Sequence, residues 1–254
     1  MQFFSFKAIV LGCSLAFCCW GASAAGHPPH WNYSADEDGP AHWAELDPAF
    51  EACGKGMNQS PIDIHNAMPT HMAPLQFGYA ADSPAVLVNN GHTVQVNVPA
   101  GQTLQWGEDN YTLLQFHFHS PSEEALSGKR APMEIHFVHR NANGGLAVVA
   151  ALIQTGKPNP AAAPLFAHLP RAGETITVDQ LTLNLTALLP SNRAYYAYDG
   201  SLTTPPCSEA VRWLVLKNPI YFSADQIKAF RTMIGENARP LQSLNGRMVR
   251  ESDD

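Results

Sequence analysis

The sequence predicts a mainly β protein with peripheral helices, built on a large, twisted and mostly antiparallel sheet. Three observations predict it. Short apolar runs with strand character recur along the chain. Glycine, proline and asparagine stand between them, with 18 glycines and 20 prolines in 254 residues. Only one segment carries a clear helical signature. Taken in order, Val86-Leu87-Val88, the alternating stretch Thr93 to Val98, Gln115 to His119, Met133 to His139, Ala147 to Ile153, Leu181 to Leu185 and Arg212 to Leu216 read as strands. The helix spans Ser223 to Ile234. Ser223 is its N-cap with Gln226 three residues on, Ile227, Phe230 and Ile234 share one face, and Gly235 ends it.

Two of these strands carry the most informative residues. Side chains alternate faces along a strand, so His117 and His119 point one way while Phe116 and Phe118 point the other. The second run places Glu134, His136 and Val138 on one face. A connection of about a dozen residues, containing Gly128 and Pro132, can return it antiparallel beside the first. Three neutral imidazoles would then surround one point, the ligand set of an open zinc site with the fourth position left for water. The competing reading is that these are core histidines with satisfied hydrogen bonds, since the chain has 11 histidines. The matching phase of the third histidine and the nearby Glu123 and Glu134 favour metal, because metal-bound imidazoles usually donate their second N–H to a polar partner.

Composition limits the remaining classes. Residues 1–24 hold one basic residue, Lys7, an apolar stretch from Ala8 to Trp20, and Ala22-Ser23-Ala24, the pattern of a cleaved signal peptide. That stretch is too short for a comfortable membrane span, and a lipoprotein reading at Cys13 would leave almost no apolar core before the cleavage point. Residues 25–254 then form one domain in the periplasm or outside the cell. This mature chain has 14 basic and 22 acidic groups, a formal −8. It shows no basic stripe for nucleic acid and no polybasic membrane patch. It keeps two cysteines, Cys53 and Cys207, which in an oxidising compartment most simply form one disulfide, with two buried thiols as the alternative.

The segments His30 to Tyr33, Asn58 to Ile64, Asn89 to His92, Gln115 to Glu123, Glu134 to Val138, Gly200 to Cys207, and Asn237 with Arg239-Pro240 occur in an order that resembles the α-class carbonic anhydrases. The resemblance runs from about His30 to about Arg247. It implies a central sheet of about ten strands with zinc at the floor of a cone. It also implies reversible hydration of carbon dioxide to bicarbonate and a proton by attack of a zinc-bound hydroxide.

By the same resemblance, His117, His119 and His136 are the zinc ligands. Their hydrogen-bond partners are Gln115, Glu134 and the backbone carbonyl of Asn237 respectively for His117, His136 and His119. Thr203 accepts from the hydroxide and donates to Glu123. Val138, Val148, Leu202, Val211 and Trp213 line the substrate pocket, and Val138 also shares the face of His136. His92 is the proton shuttle, a task that suits a side chain titrating near neutrality. Tyr33, Asn89 and Asn90 order the intervening waters. Expected partners are carbon dioxide and bicarbonate, with inhibition by sulfonamides and small anions, in a monomer or homodimer.

One departure stands out. The family usually has Ser-Glu-His where this chain has Ser122-Glu123-Glu124, and that histidine normally braces the network around Glu134 and Tyr198. A second carboxylate there is expected to raise a neighbouring pKa or rearrange hydrogen bonds. Cleavage after Ala24 would also expose Ala25-Gly26-His27, whose amine, amides and imidazole suit square-planar Cu(II). His30, His42, His65, His71, His139 and His168 read as surface or structural. Two other classes compete with the enzyme: a silent relative serving as a binding module, which would typically lose a zinc histidine, and an unrelated metal protein of cupin or oxygenase type, which would want a carboxylate ligand.

Overall fold

In the computed structural model, which describes residues 29–253, the apolar runs become strands. They are β1 (Asp63–Ile64), β2 (Met68–Pro69), β3 (Leu75–Gly78), β4 (Ser83–Asn89), β5 (Val94–Asn97), β6 (Thr103–Trp106), β7 (Asp109–His119), β8 (Ala125–Leu126), β9 (Lys129–Arg130), β10 (Met133–Asn141), β11 (Leu146–Thr155), β12 (Thr175–Leu183), β13 (Tyr195–Ser201), β14 (Glu209–Phe222) and β15 (Arg250–Glu251). Helices are short except the last: α1 (Trp43–Leu46), α2 (Ala52–Lys55), α3 (Ala163–Phe166) and α4 (Ala224–Ile234). The expected signal peptide and Ala25-Gly26-His27 lie outside the described residues.

Twelve strands form one sheet in the order β12-β4-β5-β7-β10-β11-β14-β13-β15-β2, with β6 pairing to β7 and β3 to β6. The sheet is mostly antiparallel, as expected; β11–β14 and β15–β2 are its parallel pairs. The ten-strand path matches the expected size, and β3 and β6 extend it. The connection from β7 to β10 folds into its own small hairpin, β8–β9, against β1.

Each long strand divides its side chains between two apolar layers. Leu87, Val96, Phe116, Phe118, Ile135, Phe137, Val149 and Leu214 join the main core, where α3 adds Leu165 and α4 adds Ile227 and Phe230. Burying each such side chain contributes about 1.5–3 kcal/mol. The opposite face holds a smaller cluster built from Val138, Val148, Ala150, Val211, Trp213 and Val215, closed by Ile62, Ile64 and Tyr198.

A bulge adjusts the phase of β7. Val138 pairs with Gln115 and His139 with Leu113, leaving Leu114 without a counterpart. Tyr111 and Leu113 therefore join Phe116 and Phe118 in the main core, and Gln115, His117 and His119 turn to the other face.

The α4 helix forms as its sequence dictates. Ser223 Oγ accepts from the Gln226 main chain, the Gln226 side chain returns the bond, and Gly235 sits at a φ of 85°. The reading of Leu181 to Leu185 needs adjustment, because the strand begins earlier and stops at Leu183. Asn184 Oδ1 accepts from the Ala187 main chain and starts a 3-10 turn over Thr186–Leu188. Cys53 and Cys207 are disulfide-bonded across a separation of 154 residues. They pack with Trp43 and Phe50 beneath Trp31 and Tyr33.

Candidate metal centre

Strand pairing brings the three histidines together. His136 lies directly opposite His117, and Glu134 opposite His119, on adjacent antiparallel strands. Ring centroids are 5.0 Å apart for His117–His119, 5.3 Å for His117–His136 and 4.6 Å for His119–His136. One nitrogen from each ring falls within 4.8 Å of the others.

The outward nitrogens are already engaged. His117 Nδ1 is 2.8 Å from Gln115 Oε1, and His119 Nδ1 is 2.7 Å from the main-chain oxygen of Asn237. Both acceptors require the N–H at Nδ1, which leaves the Nε2 lone pairs to face the gap. His119 Nε2 is buried and has no hydrogen-bond partner among the described residues. Burial, reinforced by the neighbouring rings, pushes the pKa of both residues well below the ordinary histidine value and keeps them neutral, the form that ligates metal. His136 is reversed. Its Nε2 faces Glu134 Oε2 at 3.5 Å and Glu124 Oε2 at 3.6 Å. Burial opposes a charge there, but the two carboxylates outweigh it and hold His136 up at about 10. The pocket thus favours positive charge on that ring. An orphaned lone pair, two neutral imidazoles and a carboxylate-backed third are the donor set of an open cation site, and the residues fit zinc.

Glu123 is wholly buried. Burial lifts its pKa to about 7, against the lowering influence of His136, of Thr203 and of the Arg239 main chain, whose N–H reaches Oε1 at 2.8 Å. Thr203 approaches this carboxylate, while Oε2 makes no hydrogen bond of good geometry among the described residues. The Gly200 to Cys207 loop is held from several sides. Ser60 Oγ accepts from the Ser201 main chain, and Trp213 Nε1 donates to the Ser201 carbonyl at 3.0 Å. Gly200 permits that approach, since a Cβ there would lie 2.1 Å from Ser60 Oγ.

The remaining expected residues fall in two groups. Val138, Val148, Val211 and Trp213 are buried on the histidine side of the sheet with Leu202 against them. His92 stacks on Trp31 with centroids 3.7 Å apart and planes 5° apart, and shares a cleft with Tyr33 and Asn90. Burial and the nearby His30 lower its pKa. Asn90 Oδ1 caps the turn by accepting from the main chain of His92 and Thr93. Asn89 stands apart. It is fully buried, donating to the Pro170 carbonyl and accepting from Gly91, so its amide is spent on the loop.

Two contributors had no role assigned from the sequence. Gln95 pairs directly with His117 across β5 and β7 and shares its face. Arg239, only 1% exposed, donates to Gln59 Oε1 and the Ser60 and Cys53 carbonyls, joining the disulfide to the main chain that serves Glu123. His139, read as structural, is buried in the main core with Nε2 2.6 Å from the Tyr79 hydroxyl.

The sequence model of the eukaryotic-type carbonic anhydrase family matches residues 38–253. A carbonic anhydrase of Pectobacterium carotovorum is 44% identical over 232 residues, covering 91% of this chain and 94% of the relative. The α-carbonic anhydrase of Thermovibrio ammonificans, solved with the inhibitor sulfanilamide, superposes with a TM-score of 0.84 at 42% identity, covering 87% of this chain and 99% of its own. That of Photobacterium profundum gives a TM-score of 0.83 at 43% identity, covering 87% of this chain and 100% of its own. With matching sequence, superposable sheet and three converging histidines, the chain belongs to the α-class carbonic anhydrase family, whose reaction is the hydration of carbon dioxide.

Proposed function

We propose that this chain hydrates carbon dioxide reversibly as a zinc enzyme, with His117, His119 and His136 holding the metal. The observation that carries the reading is the convergence of three imidazole nitrogens within 4.8 Å, with Nδ1 of two of them already fixed by acceptors behind them. Zinc bound there would act as a Lewis acid that makes water a competent nucleophile near neutral pH, an effect for which carbonic anhydrase is itself the standard example. With the metal in place of the Nδ1 proton of His136, three neutral imidazoles would leave the ion its full charge.

The protein's own groups do the rest. Thr203 accepts a hydrogen bond from the nucleophile through Oγ1 and directs its own proton to Glu123, which fixes the direction of attack. Glu123 is held in turn by the Arg239 main chain. Val138, Val148, Leu202, Val211 and Trp213 offer carbon dioxide a weakly attractive, dry wall. His92 takes up the proton that the reaction releases and passes it to buffer, with Tyr33 and Asn90 lining its path. Sulfonamides and small anions would compete at the metal, as the sulfanilamide complex of the Thermovibrio relative suggests.

Residues 1–24 are a signal peptide and residues 25–254 one catalytic domain, exported to the periplasm or beyond. The disulfide supports an oxidising location, and no helix among the described residues is long and apolar enough to cross a membrane. The decisive experiment is stopped-flow carbon dioxide hydration by the mature protein before and after chelation. Activity that vanishes with the metal and returns with zinc is expected. Full zinc occupancy without hydration would overturn the assignment and favour a binding role.

A further inference from the structure

Arg239 is a buried cation that makes no ion pair among the described residues. Its guanidinium donates to neutral oxygens instead. Nη1 reaches Gln59 Oε1 at 2.9 Å and the Ser60 carbonyl at 2.7 Å, and Nη2 reaches the Cys53 carbonyl at 2.8 Å. Trp43 covers the group, with its ring centroid 5.6 Å from Cζ. Burying a charge without a partner charge is costly unless its donors are satisfied. Here each of those bonds leads towards the site.

The residue reaches both halves of the pair that directs the nucleophile. On one side its main-chain N–H holds Glu123 Oε1 at 2.8 Å, while its carbonyl accepts from Arg130 Nη2 at 2.9 Å. On the other side lies the loop of Thr203. Gln59, held at Oε1, donates through Nε2 to the Cys207 carbonyl at 3.0 Å and to Glu209 Oε1 at 3.0 Å. Ser60, held at its carbonyl, exchanges two bonds with Ser201: its main chain donates to Ser201 Oγ at 2.9 Å, and the Ser201 main chain donates to Ser60 Oγ at 3.1 Å. The Cys207 N–H returns to the Thr204 carbonyl at 2.8 Å and closes the turn. Thr203 thus lies between two residues that Arg239 holds through Ser60 and Gln59.

We propose that the guanidinium of Arg239 is a positioning group for Thr203 and Glu123: it clamps residues 53–60 against residue 239 and so sets the spacing between hydroxyl and carboxylate independently of the contact between them. This rests on the hydration reading above. None of the guanidinium's hydrogen bonds reaches a proposed ligand, so its effect passes through the placement of Thr203. The role is specific to arginine. Its planar fork spans acceptors on Gln59, Ser60 and Cys53 at once, whereas the ammonium of lysine is a single point.

The test is stopped-flow carbon dioxide hydration by the full mature protein, with zinc content measured on every variant. Arg239→Lys and Arg239→Met keep the main-chain N–H that serves Glu123 and lose the fork. Both should lose about a hundredfold in kcat/KM, the cost of about 1 Å of misplacement by a change away from the chemistry, with zinc still stoichiometric. In a Thr203→Ala background Arg239→Lys should cost little more, because both changes act on one group. Gln59→Leu, which cuts the link to Cys207, should lose less and serves if the arginine variants do not fold. Arginine variants that are merely less heat-stable, with kcat/KM unchanged, would overturn the proposal. So would fully additive losses with Thr203→Ala, loss of zinc in parallel with activity, or, where the arginine variants do not fold, wild-type kcat/KM in Gln59→Leu. A wild-type chain that binds zinc without hydrating carbon dioxide would overturn the hydration reading itself, and this inference with it.

Discussion

The side-chain amide of Asn237 donates to the main-chain carbonyl of His92 at 3.0 Å. The same residue accepts His119 Nδ1 through its own carbonyl and receives the Ser120 main chain at Oδ1. One asparagine therefore ties a proposed ligand to the loop of the proposed shuttle. Asn237→Ala keeps the carbonyl and removes only the amide links. Stability should fall by about 1–3 kcal/mol for the unsatisfied groups left behind. In stopped-flow assays kcat, which depends on proton export, should drop more than kcat/KM, while zinc content stays stoichiometric. Equal losses in both would disconnect Asn237 from the shuttle.

His92 makes a sharper case. His92→Ala should lower kcat about a hundredfold in weak buffer, the low end of what general acid–base groups supply, and leave kcat/KM unchanged. High concentrations of imidazole should restore the rate. Because burial and His30 hold His92 below its ordinary value, its neutral, proton-accepting form persists to lower pH. The inflection in kcat assigned to it should therefore fall below 6.5, and His30→Ala should move it upward. A His92→Ala enzyme with undiminished kcat in dilute buffer would remove the assignment.

Val138 borders His136 on the same strand face and is 9% exposed, enough to meet a small substrate. Val138→Phe should fill the space beside the metal and cut kcat/KM severely with zinc affinity intact. The comparison of metal titration with hydration kinetics separates the two effects. Unchanged kcat/KM would place the substrate elsewhere.

His139 predicts the acid limit of the fold. Burial lowers its pKa to about 4, against hydrogen bonds with the Ala147 and Phe137 main chain, while an unfolded chain would titrate it near 6.5. Above pH 6.5 both states are neutral and the stability is complete. As pH falls from about 6.5 to about 4 the unfolded chain alone gains the proton, so folding loses up to about 3 kcal/mol. Across that window the pH slope of denaturant melts should be steeper in the wild type than in His139→Gln by about one proton. In His139→Gln that contribution should disappear, whatever the variant's stability at pH 7.

Much of this was legible in the chain itself. His117, His119 and His136 could be aligned from alternation alone, because both strands are regular between Gln115 and Val138. The bulge beyond Val138 was not legible, since it shows only when Leu113 and Phe116 are found in one core. Gln95 carries no local signal, and its place beside His117 depends on the register of β5 against β7. Arg239 counts in the sequence only as part of the matching segment with Asn237 and Pro240, with no role attached; its burial follows from three carbonyl and amide acceptors supplied from residues 53–60. The carboxylate pair at Glu124 and Glu134 could be anticipated as a disturbance, but its partners, Tyr198 and Ser60, are far away in sequence.

The lateness of Asn237 and Arg239 in the chain has a consequence for biosynthesis. The imidazoles are all translated by residue 136, yet the acceptor that orients His119 and the amide that holds Glu123 follow about a hundred residues later. A ribosome-bound intermediate carries every ligand and lacks the frame that aims them. Assembly of the proposed metal centre would therefore wait for the finished polypeptide, and a chain truncated before Asn237 should carry the three histidines without the acceptor of His119 and the amide that holds Glu123.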